Sequence, residues 1–417
     1  MIKDVEDKAV GEKRVLLERV ELEDPGDLKG YEALGGFTGL DKAHEMSPEA
    51  VIETVKDSGL RGRGGAGFPC GVKWELARQS PNPDKVLILN ADEGEVGTFK
   101  DRYILEHNPY MVLEGMAIGA YAIGADKGYI YLRDEYHYLL TSLEKAVSEC
   151  KEEGYLNDLE VEIVEGAGAY ICGEESALMN SIEGKRGESR YRPPFPPEKG
   201  LFEQPTIINN VETLSNVPLI VEKGAEWYAA LGTEKSKGTK LFCVSGDVKR
   251  PGVYELELGT SLKEVMGLSG AESPKWVQVG GSTGRLIPSD RLDTALSYEG
   301  VLGSGAVMVS NGTRDVIEFV YRTLEFLNEE SCGKCAPCRE GTEVLVEILG
   351  RLTQGEGSEQ DLINLETLSE VMMDASLCGL GQTAPIPVLD SLRYFREVYE
   401  ARIEQSLYLR GLRTVKA

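Results

Sequence analysis

Apolar residues follow strand spacing and helix spacing in alternation along the first half of the chain. After the N-cap candidate Ser47, the apolar residues Val51, Ile52 and Val55 fall on one helical face. Short apolar runs predict buried strands at residues 86–90, 129–132 and 159–164. Helical spacing is found at residues 73–78, 111–125, 136–153 and 176–182. This alternation favours an α/β sheet with helices on its faces.

Two segments of the first half lack this regular spacing. Residues 1–50 show turn signals, Asp24-Pro25-Gly26 and Gly35-Gly36, so we predict an irregular lead-in there. Residues 184–205 are basic and rich in proline, which is typical either of a loop over a site or of a linker.

The pattern changes near residue 235 and again near residue 315. A polar, glycine-containing break precedes short strand candidates and one helix candidate, at residues 241–245, 252–258, 261–268, 277–279 and 306–309. From Asp315 onward the spacing is helical, and four helices with short connections predict a bundle. We therefore predict three domains: an α/β domain at 1–234, a small α+β domain at 235–314 and a helical domain at 315–417.

Composition narrows the classes of function. The 417 residues exceed one ordinary domain, and 45 basic against 70 acidic residues give a net charge of −25. Such a charge argues against binding to nucleic acid and against docking on anionic lipid. Met1–Val10 has no apolar core of a secretory signal, and the longest uncharged stretch, residues 375–389, is broken by glycines and prolines. We expect a cytoplasmic protein without direct membrane insertion, in which clustered cysteines bind metal rather than form disulfides.

Three of the eight cysteines are clustered as Cys332-x-x-Cys335-x-x-Cys338. This spacing can wrap three thiolates around one inorganic group, and a cubane iron–sulfur cluster needs a fourth. Cys378 is the candidate, because the glycines that follow it permit a close backbone approach. Zinc is the alternative, although structural zinc sites usually pair two Cys-x-x-Cys knuckles. The remaining cysteines are predicted to be packing residues: Cys70, Cys150, Cys172 and Cys243.

Two glycine loops are candidates for binding phosphate. Gly62-x-Gly64-x-x-Gly67 matches the dinucleotide fingerprint as a string, but a helix precedes it where a strand is expected. The backbone amides of this loop and the Arg63 side chain can form a binding site for an anion. Alternatively, the segment is a flexible surface loop. The second loop, residues 166–175, has the better context because it joins a predicted strand to a helix N-terminus.

Polar residues follow the strand at 86–90. Asn90, Asp92 and Glu93 lie where open α/β sheets bind ligands, or they form a solvated acidic turn. Residues 209–213 form a similar polar cluster, for which a turn with an N-cap is favoured. With three histidines and no nucleophile–base motif, the chemistry is expected to come from bound cofactors.

Five motifs together resemble one family, the NADH-binding flavoprotein subunit of respiratory complex I, over nearly the whole chain. They occur in family order at Arg61–Pro69, Asn90–Glu95, Ala169–Glu175, Asn209–Thr213 and Glu330–Gly341. The resemblance implies a Rossmann-like FMN/NADH domain, a ubiquitin-like middle domain of the SLBB type and a four-helix iron–sulfur domain. It also implies FMN, NAD(H) and one [4Fe-4S] cluster as cofactors.

The resemblance assigns the site residues motif by motif. FMN would be held by Arg63, Gly64, Gly65, Lys73, Asn90, Asp92, Glu93, Gly173, Glu174, Glu175, Asn209, Asn210 and Thr213. NADH would contact Phe68, Glu95, Lys199 and Phe202. The cofactor-binding set is completed by Gly62, Ala66, Gly67, Tyr170 and Ile208. The cluster ligands would be Cys332, Cys335, Cys338 and Cys378.

The resemblance implies an NADH dehydrogenase subunit in which hydride passes to FMN and electrons pass singly to the cluster. The partners would be the small [2Fe-2S] subunit and the large multi-cluster subunit of a complex peripheral to the inner membrane. Glu95 is expected to tune the flavin electrostatically. Val96 and Cys70 depart from the residues usual in the family, which are proline and threonine. The alternatives are a diaphorase subunit of a soluble NAD-reducing hydrogenase or formate dehydrogenase, and a non-catalytic iron–sulfur scaffold.

Overall fold

A four-stranded parallel sheet forms the centre of the first half of the chain in the computed structural model, which describes residues 13–21 and 27–409. Its strands are β1 (Val86–Ala91), β2 (Lys127–Leu132), β3 (Glu160–Glu165) and β4 (Thr206–Asn210). The strand order is β3-β2-β1-β4, with Val86 paired to Lys127 on one side and to Thr206 on the other. The chain thus runs outward from β1 in one direction and returns to add β4 on the opposite side. The crevice between β1 and β4 is therefore the topological switch point of the sheet.

Helices cover this sheet, and several of them were predicted from apolar spacing. They are α1 (Leu17–Val20), α2 (Leu28–Ala33), α3 (Thr38–His44), α4 (Pro48–Asp57), α5 (Cys70–Arg78), α6 (Lys100–His107), α7 (Pro109–Ile123), α8 (Leu140–Glu152), α9 (Glu175–Ile182), α10 (Val211–Lys223) and α11 (Ala225–Ala229). The Ser47 side chain accepts a hydrogen bond from the Ala50 amide and caps α4, as predicted. The helix predicted at 136–153 begins as a 3-10 turn and becomes α-helical at Leu140.

The prediction of an irregular lead-in is wrong for the described part, which contains α1, α2 and α3. These short helices are held by tertiary contacts, which apolar spacing does not reveal. The buried Glu114 carboxylate of α7 accepts hydrogen bonds from the Phe37 and Leu40 amides, each at 3.0 Å. The turn at Gly35-Gly36 lies between α2 and α3, whereas Met1–Val10 and Asp24-Pro25-Gly26 lie outside the described residues.

The second sheet has five strands in the order β6-β5-β9-β7-β8. Its elements are β5 (Thr239–Gly246), β6 (Gly252–Glu257), α12 (Leu262–Ser269), β7 (Trp276–Val279), β8 (Arg285–Pro288) and β9 (Ala306–Ser310). β5 and β9 are parallel and the other pairs are antiparallel. Four of the five strands and the helix were predicted, and β8, which begins with Arg285 and ends with Pro288, was missed.

Helices alone make up the last part of the described chain. They are α13 (Val316–Glu329), α14 (Ala336–Thr353), α15 (Glu359–Ala375), α16 (Gly379–Thr383), α17 (Ile386–Tyr394) and α18 (Arg396–Leu409). The described residues of this region contain six helices where four were predicted, because the backbone leaves helical geometry at Phe395, which divides the last predicted helix into α17 and α18, and because the short α16 was not predicted. The overall class, an α/β domain followed by a small α+β domain and a helical domain, is confirmed. The boundaries at 235 and 315 remain predictions.

A two-pronged salt bridge joins the second sheet to the helical region. Arg285 of β8 donates from Nε and Nη2 to the two carboxylate oxygens of Asp390 in α17, each at 2.7 Å. The Leu286 amide donates to the same carboxylate at 3.0 Å. This joint fixes the middle domain against the helical domain. Within the described ranges, no helix is both long and apolar enough to cross a membrane.

Candidate functional site

A cavity of about 550 Å³ opens at the switch point, outside the carboxyl ends of β1 and β4. Many predicted cofactor residues line it: Gly64, Gly65, Ala66, Asn90, Asp92, Glu93, Glu95, Tyr170, Gly173, Glu174 and Asn210. The two glycine loops and the two strand ends, which are far apart in sequence, therefore meet at one site.

The first glycine loop, residues 62–67, is fastened at its base and leaves its backbone bare at the tip. Its ends are joined by a hydrogen bond from the Gly62 amide to the Phe68 carbonyl, at 2.9 Å. Gly65 has a φ of +127°, which L side chains rarely adopt. A Cβ on Gly64 would lie 3.2 Å from the Cβ of Asn210. Glycine is thus favoured where the loop turns beside β4, and Gly64, Gly65 and Ala66 line the cavity with little or no side chain to cover their backbone.

The Arg63 side chain supports the first glycine loop, whereas it was predicted to bind the cofactor. Its side chain is buried and does not line the cavity. The guanidinium donates to the Tyr228 hydroxyl at 2.9 Å, the Tyr298 hydroxyl at 3.1 Å and the Lys237 carbonyl at 2.7 Å. In this structure its charge anchors the loop to the middle of the chain.

Four of the predicted residues form a layer behind the cavity wall: Lys73, Glu175, Ile208 and Asn209. The Lys73 ammonium donates to the Glu175 carboxylate at 2.9 Å and to the Ile208 carbonyl at 3.0 Å. Burial opposes ionisation of Glu175, yet Lys73 holds its pKa below the ordinary value. The Asn209 amide oxygen accepts from the Trp74 indole at 2.9 Å, which fixes β4 against α5.

Asp92 and Glu95 bring carboxylates to the cavity. Desolvation raises the pKa of Asp92 to about 7, and its Oδ2 atom is buried without a hydrogen-bond partner among the described residues. Desolvation also raises the pKa of Glu95. The Glu95 carboxylate accepts from the Ser282 amide at 2.7 Å and from the Tyr170 hydroxyl at 2.9 Å. The predicted solvated acidic turn is therefore not what the structure contains.

Glu93 and Asn210 also serve as helix caps. The Glu93 carboxylate accepts from the Asp101 and Arg102 amides, at 3.0 and 3.1 Å, and holds the start of α6. The Asn210 side chain accepts from the Glu212 amide at 3.0 Å and caps α10, as the favoured alternative for residues 209–213 predicted. Both side chains nevertheless line the cavity.

A buried ion network underlies the cavity, and no motif in the sequence signals it. Lys100, which lines the cavity, donates to Asp101 at 2.6 Å and pairs with Glu212 at 2.9 Å. Lys240 of β5 pairs with the same Glu212 carboxylate at 3.1 Å and donates to the Arg63 carbonyl at 2.7 Å. This network ties the glycine loop, α6 and α10 to the middle domain.

The far wall of the cavity comes from the middle and helical domains. The sequence did not predict that these domains contribute to the site. It contains Val279, Gly280, Thr283, Gly284, Arg285, Gly300, Val301, Leu302, Gly303, Ser304, Gly379, Leu380, Thr383 and Ile386. A usable signal exists in Gly280-Gly-Ser-Thr-Gly284, a glycine loop that directly follows a predicted strand.

Other predicted residues lie outside the lining. They are Gly62, Arg63, Gly67, Phe68, Lys73, Glu175, Lys199, Phe202, Ile208, Asn209 and Thr213. Phe68 and Phe202 are half-exposed, and the Lys199 ammonium pairs with Glu203 at 2.8 Å. Thr213 accepts from the Arg63 amide at 2.8 Å and so supports the glycine loop.

The two positions that depart from the family pattern differ in exposure. Cys70 is buried at the start of α5, and Val96 is exposed in the loop after Glu95.

The four predicted cluster ligands, Cys332, Cys335, Cys338 and Cys378, line a second, small cavity. The Leu377 amide donates to the Cys335 sulfur at 3.5 Å. A Cβ on Gly381 would lie 2.8 Å from the Cβ of Cys338, so this glycine permits a close approach to a cysteine, whereas a Cβ on Gly379 would meet nothing within 4 Å. All eight cysteines are free thiols, and the other four are buried, in keeping with packing roles.

The chemical groups that line each cavity match those that an expected cofactor requires. The large cavity offers bare amides and a buried, unpartnered Asp92 oxygen, which suit a phosphate and a polar flavin group. Cys332, Cys335, Cys338 and Cys378 line the small cavity and supply the four thiolates that a cubane cluster requires, which is also the number that a structural zinc ion takes.

The two cavities are neighbours. Ile171, which precedes α9, and Leu380 of α16 line both of them. Groups bound in the two cavities would therefore be separated by a thin wall of side chains.

Three known protein families match separate parts of the chain. Residues 55–219 match the Nuo51 FMN-binding domain, and residues 241–280 match the SLBB domain. Residues 318–402 match the NADH-ubiquinone oxidoreductase-F iron-sulfur binding region.

Similar proteins come from two kinds of enzyme. The second F-type subunit of the NADH-quinone oxidoreductase of Rhizobium meliloti is 43% identical, over 94% of this chain and 98% of the relative. The HndC subunit of the NADP-reducing hydrogenase of Solidesulfovibrio fructosivorans is 44% identical, over 91% of this chain and 81% of the relative. A solved structure, an NAD+-reducing [NiFe]-hydrogenase in the H2-reduced state, is 40% identical with a TM-score of 0.87, over 97% of this chain and 72% of that one.

These matches confirm the cofactors expected from the sequence, FMN and a [4Fe-4S] cluster, with NADH as the substrate. They also decide against the zinc and scaffold alternatives. The chain belongs to the family of F-type subunits of NADH-quinone oxidoreductase, and it is an NADH dehydrogenase type of oxidoreductase subunit.

Proposed function

We propose that this chain oxidises NADH in the large cavity and delivers the electrons, one at a time, through the cysteine-lined cavity to iron–sulfur partner subunits. FMN, when bound, supplies the conversion of a two-electron hydride transfer into single-electron steps. The observation that carries the proposal is the shared wall of Ile171 and Leu380 between the two cavities. A short separation is what direct electron transfer between two cofactors requires.

The residues proposed to hold FMN act in two layers. The amides of Gly64 and Gly65 and the side chains of Asn90, Asp92 and Asn210 border the cavity and supply donors and acceptors. Lys73 and Arg63 lie behind them and fix Glu175 and the glycine loop. We assign the phosphate to the bare amides, because the nearby cations are already paired with protein groups.

The NADH subsite is proposed at the open side of the same cavity. Phe68 and Phe202, which lie outside the cavity lining, present half-exposed rings that suit stacking on planar bases. Lys199 is half-exposed and pairs with Glu203, so a bound cofactor would compete with this carboxylate for its charge. Glu95 lies inside the cavity, where a carboxylate disfavours added negative charge on a neighbouring group.

The proposed cluster ligands are Cys332, Cys335, Cys338 and Cys378. Burial raises the pKa of the Cys338 thiol to about 11, so its thiolate would form together with a metal group that neutralises it. Cys335 and Cys338 lie at the N-terminus of α14, whose backbone dipole favours negative charge, whereas Cys332 lies in the preceding loop and Cys378 directly before the short α16.

We propose quinone as the final acceptor of the complex, with a small [2Fe-2S] subunit and a large multi-cluster subunit as partners at the membrane surface. The near-complete coverage of the Rhizobium meliloti relative, at 98%, supports this assignment. A hydrogenase subunit is the second candidate, supported by the comparable identity to HndC and by the TM-score of 0.87. Copurification distinguishes the two: a quinone-reducing complex or a nickel–iron hydrogenase would accompany the chain.

The proposed division of labour is tested by separating the two electron transfers. Cys335→Ser in the full chain should retain flavin and NADH:ferricyanide activity, while the low-temperature EPR signal of the reduced cluster is lost or altered. Cys150→Ser, a buried cysteine on α8, is the matched control and should leave both unchanged. An unaltered cluster signal in Cys335→Ser would refute the ligand assignment.

A further inference from the structure

Ser189 is a buried residue whose hydroxyl lies at the cysteine-lined cavity, near Cys378. Its relative exposure is 2%, and within the described chain its Oγ has no hydrogen-bond partner. It lines the small cavity together with all four cysteines. A buried hydroxyl without a partner costs free energy, and the sulfur atoms of the four cysteines are the acceptors that line the same cavity.

The backbone on both sides of Ser189 is fixed, so the position of its side chain is not a matter of loop mobility. The Asn180 side chain donates from Nδ2 to the Glu188 carbonyl at 2.7 Å. The Lys334 ammonium donates to the Ser189 carbonyl at 2.7 Å, and the Arg190 amide donates to the Ser176 hydroxyl at 2.9 Å. Three consecutive residues are thereby tied to α9 and to the cysteine loop.

The segment that carries Ser189, residues 184–205, spans both cavities. Arg186 donates to the Cys332 carbonyl at 2.6 Å, at the cluster end. Arg192 pairs with Glu175 at 3.0 Å and also with Glu174, at the flavin end. This segment, for which the sequence allowed either a loop over a site or a linker, contacts residues at both cavities.

We propose that Ser189 is a tuning residue of the iron–sulfur cluster, with its hydroxyl donating a hydrogen bond to the sulfur-rich group held by the four cysteines. The inference rests on the proposed ligand set. One-electron reduction adds negative charge to the cluster, and a hydrogen-bond donor stabilises the more negative state. Ser189 therefore raises the reduction potential of the cluster and favours its reduction from the flavin side.

A second hydroxyl at the same cavity is already engaged. Ser331 Oγ lies 3.3 Å from the Cys338 sulfur. Ser369 is the matched control: it is fully buried on α15, its Oγ is unpartnered among the described residues, and it does not line the cavity.

The test is an EPR redox titration of the cluster in the full chain, with iron content measured in parallel. Ser189→Ala should keep the iron content and lower the ratio of reduced to oxidised cluster at fixed ambient potential by up to about tenfold, which is about 59 mV for a one-electron couple. Ser369→Ala should leave the potential unchanged. An unchanged potential in Ser189→Ala would overturn the proposal.

A second pair of variants covers the case in which Ser189→Ala loses iron. Ser189→Thr and Ser189→Val have the same shape and differ in the hydroxyl. The proposal is supported if only the Ser189→Val variant has a lower reduction potential or a lower iron content. It is contradicted if the two variants have the same potential and the same iron content. The ligand set is tested separately, because Cys378→Ser should alter the EPR signal itself.

Discussion

The Tyr170 hydroxyl donates a hydrogen bond of 2.9 Å to the Glu95 carboxylate. The Tyr170 amide, in turn, donates to the Glu330 carboxylate at 2.9 Å, two residues before Cys332. Tyr170 thereby joins the carboxylate in the large cavity to the segment that carries Cys332, Cys335 and Cys338. The Glu95 carboxylate is held in place by donors from distant parts of the chain, which is what a fixed electrostatic group requires.

Glu95→Gln should raise the midpoint potential of the flavin, because it removes a negative charge that opposes added electrons. The pKa of Glu95 is raised by desolvation, so protonation neutralises it as the pH falls. The difference in potential between wild type and variant should therefore be present at high pH and shrink on acidification. A flavin redox titration at several pH values checks this. Equal potentials at high pH would show that Glu95 does not tune the flavin.

Lys240→Met should destabilise the protein by about 3 kcal/mol, because one of the cations that neutralise the buried Glu212 carboxylate is lost. Chemical denaturation measures the change. Lys249→Met is the matched control, since Lys249 pairs with Glu272 on the surface and both are largely exposed. Its effect should stay below about 0.5 kcal/mol. Similar effects of the two substitutions would contradict a structural role for the buried network.

Gly115→Ala should destabilise the protein by about 2 kcal/mol or more, because the added Cβ would overlap the Leu214 carbonyl where α7 crosses α10. Gly267→Ala offers a control in another helix, α12, where a Cβ meets nothing within 4 Å. That substitution should stabilise the protein by about 0.5–1 kcal/mol through helix propensity. Thermal unfolding compares them, and equal shifts would refute the close packing of α7 on α10.

Added salt should slightly accelerate NADH binding. The chain carries a net charge of −25 and NADH is an anion, so screening reduces a global repulsion. Stopped-flow binding at increasing ionic strength measures the association rate. A steep fall in the rate with salt would show that local positive groups such as Lys199 steer the substrate.

The local elements could largely be predicted from the sequence, because they depend on spacing. The buried run of β1 and the capped start of α4 are examples. β4 was not predicted, since Thr206–Asn210 is short and ends in polar residues. α6 was not predicted either, because its first turn is held by Glu93, a contact that periodicity does not encode.

The motifs led to the near wall of the cavity but not to its far wall. Gly280–Arg285 faces residues that precede it by almost two hundred positions, and only the packing of the middle domain brings them together. The role of Arg63 was likewise hidden, because its partners Tyr228 and Tyr298 are distant in sequence. Contacts between domains are fixed by tertiary structure, and no motif spacing records them.

The central claim is that electrons cross the thin wall of Ile171 and Leu380 from the flavin cavity to the cysteine-lined cavity. Rapid mixing of the full chain with NADH, followed by freeze-quench EPR, tests this most directly. The account predicts that the EPR signal of the reduced cluster appears while the flavin absorbance first decreases and then recovers. In Cys335→Ser, the flavin absorbance should decrease without that signal. Bleaching in the wild-type chain without any reduction of a cluster would contradict it.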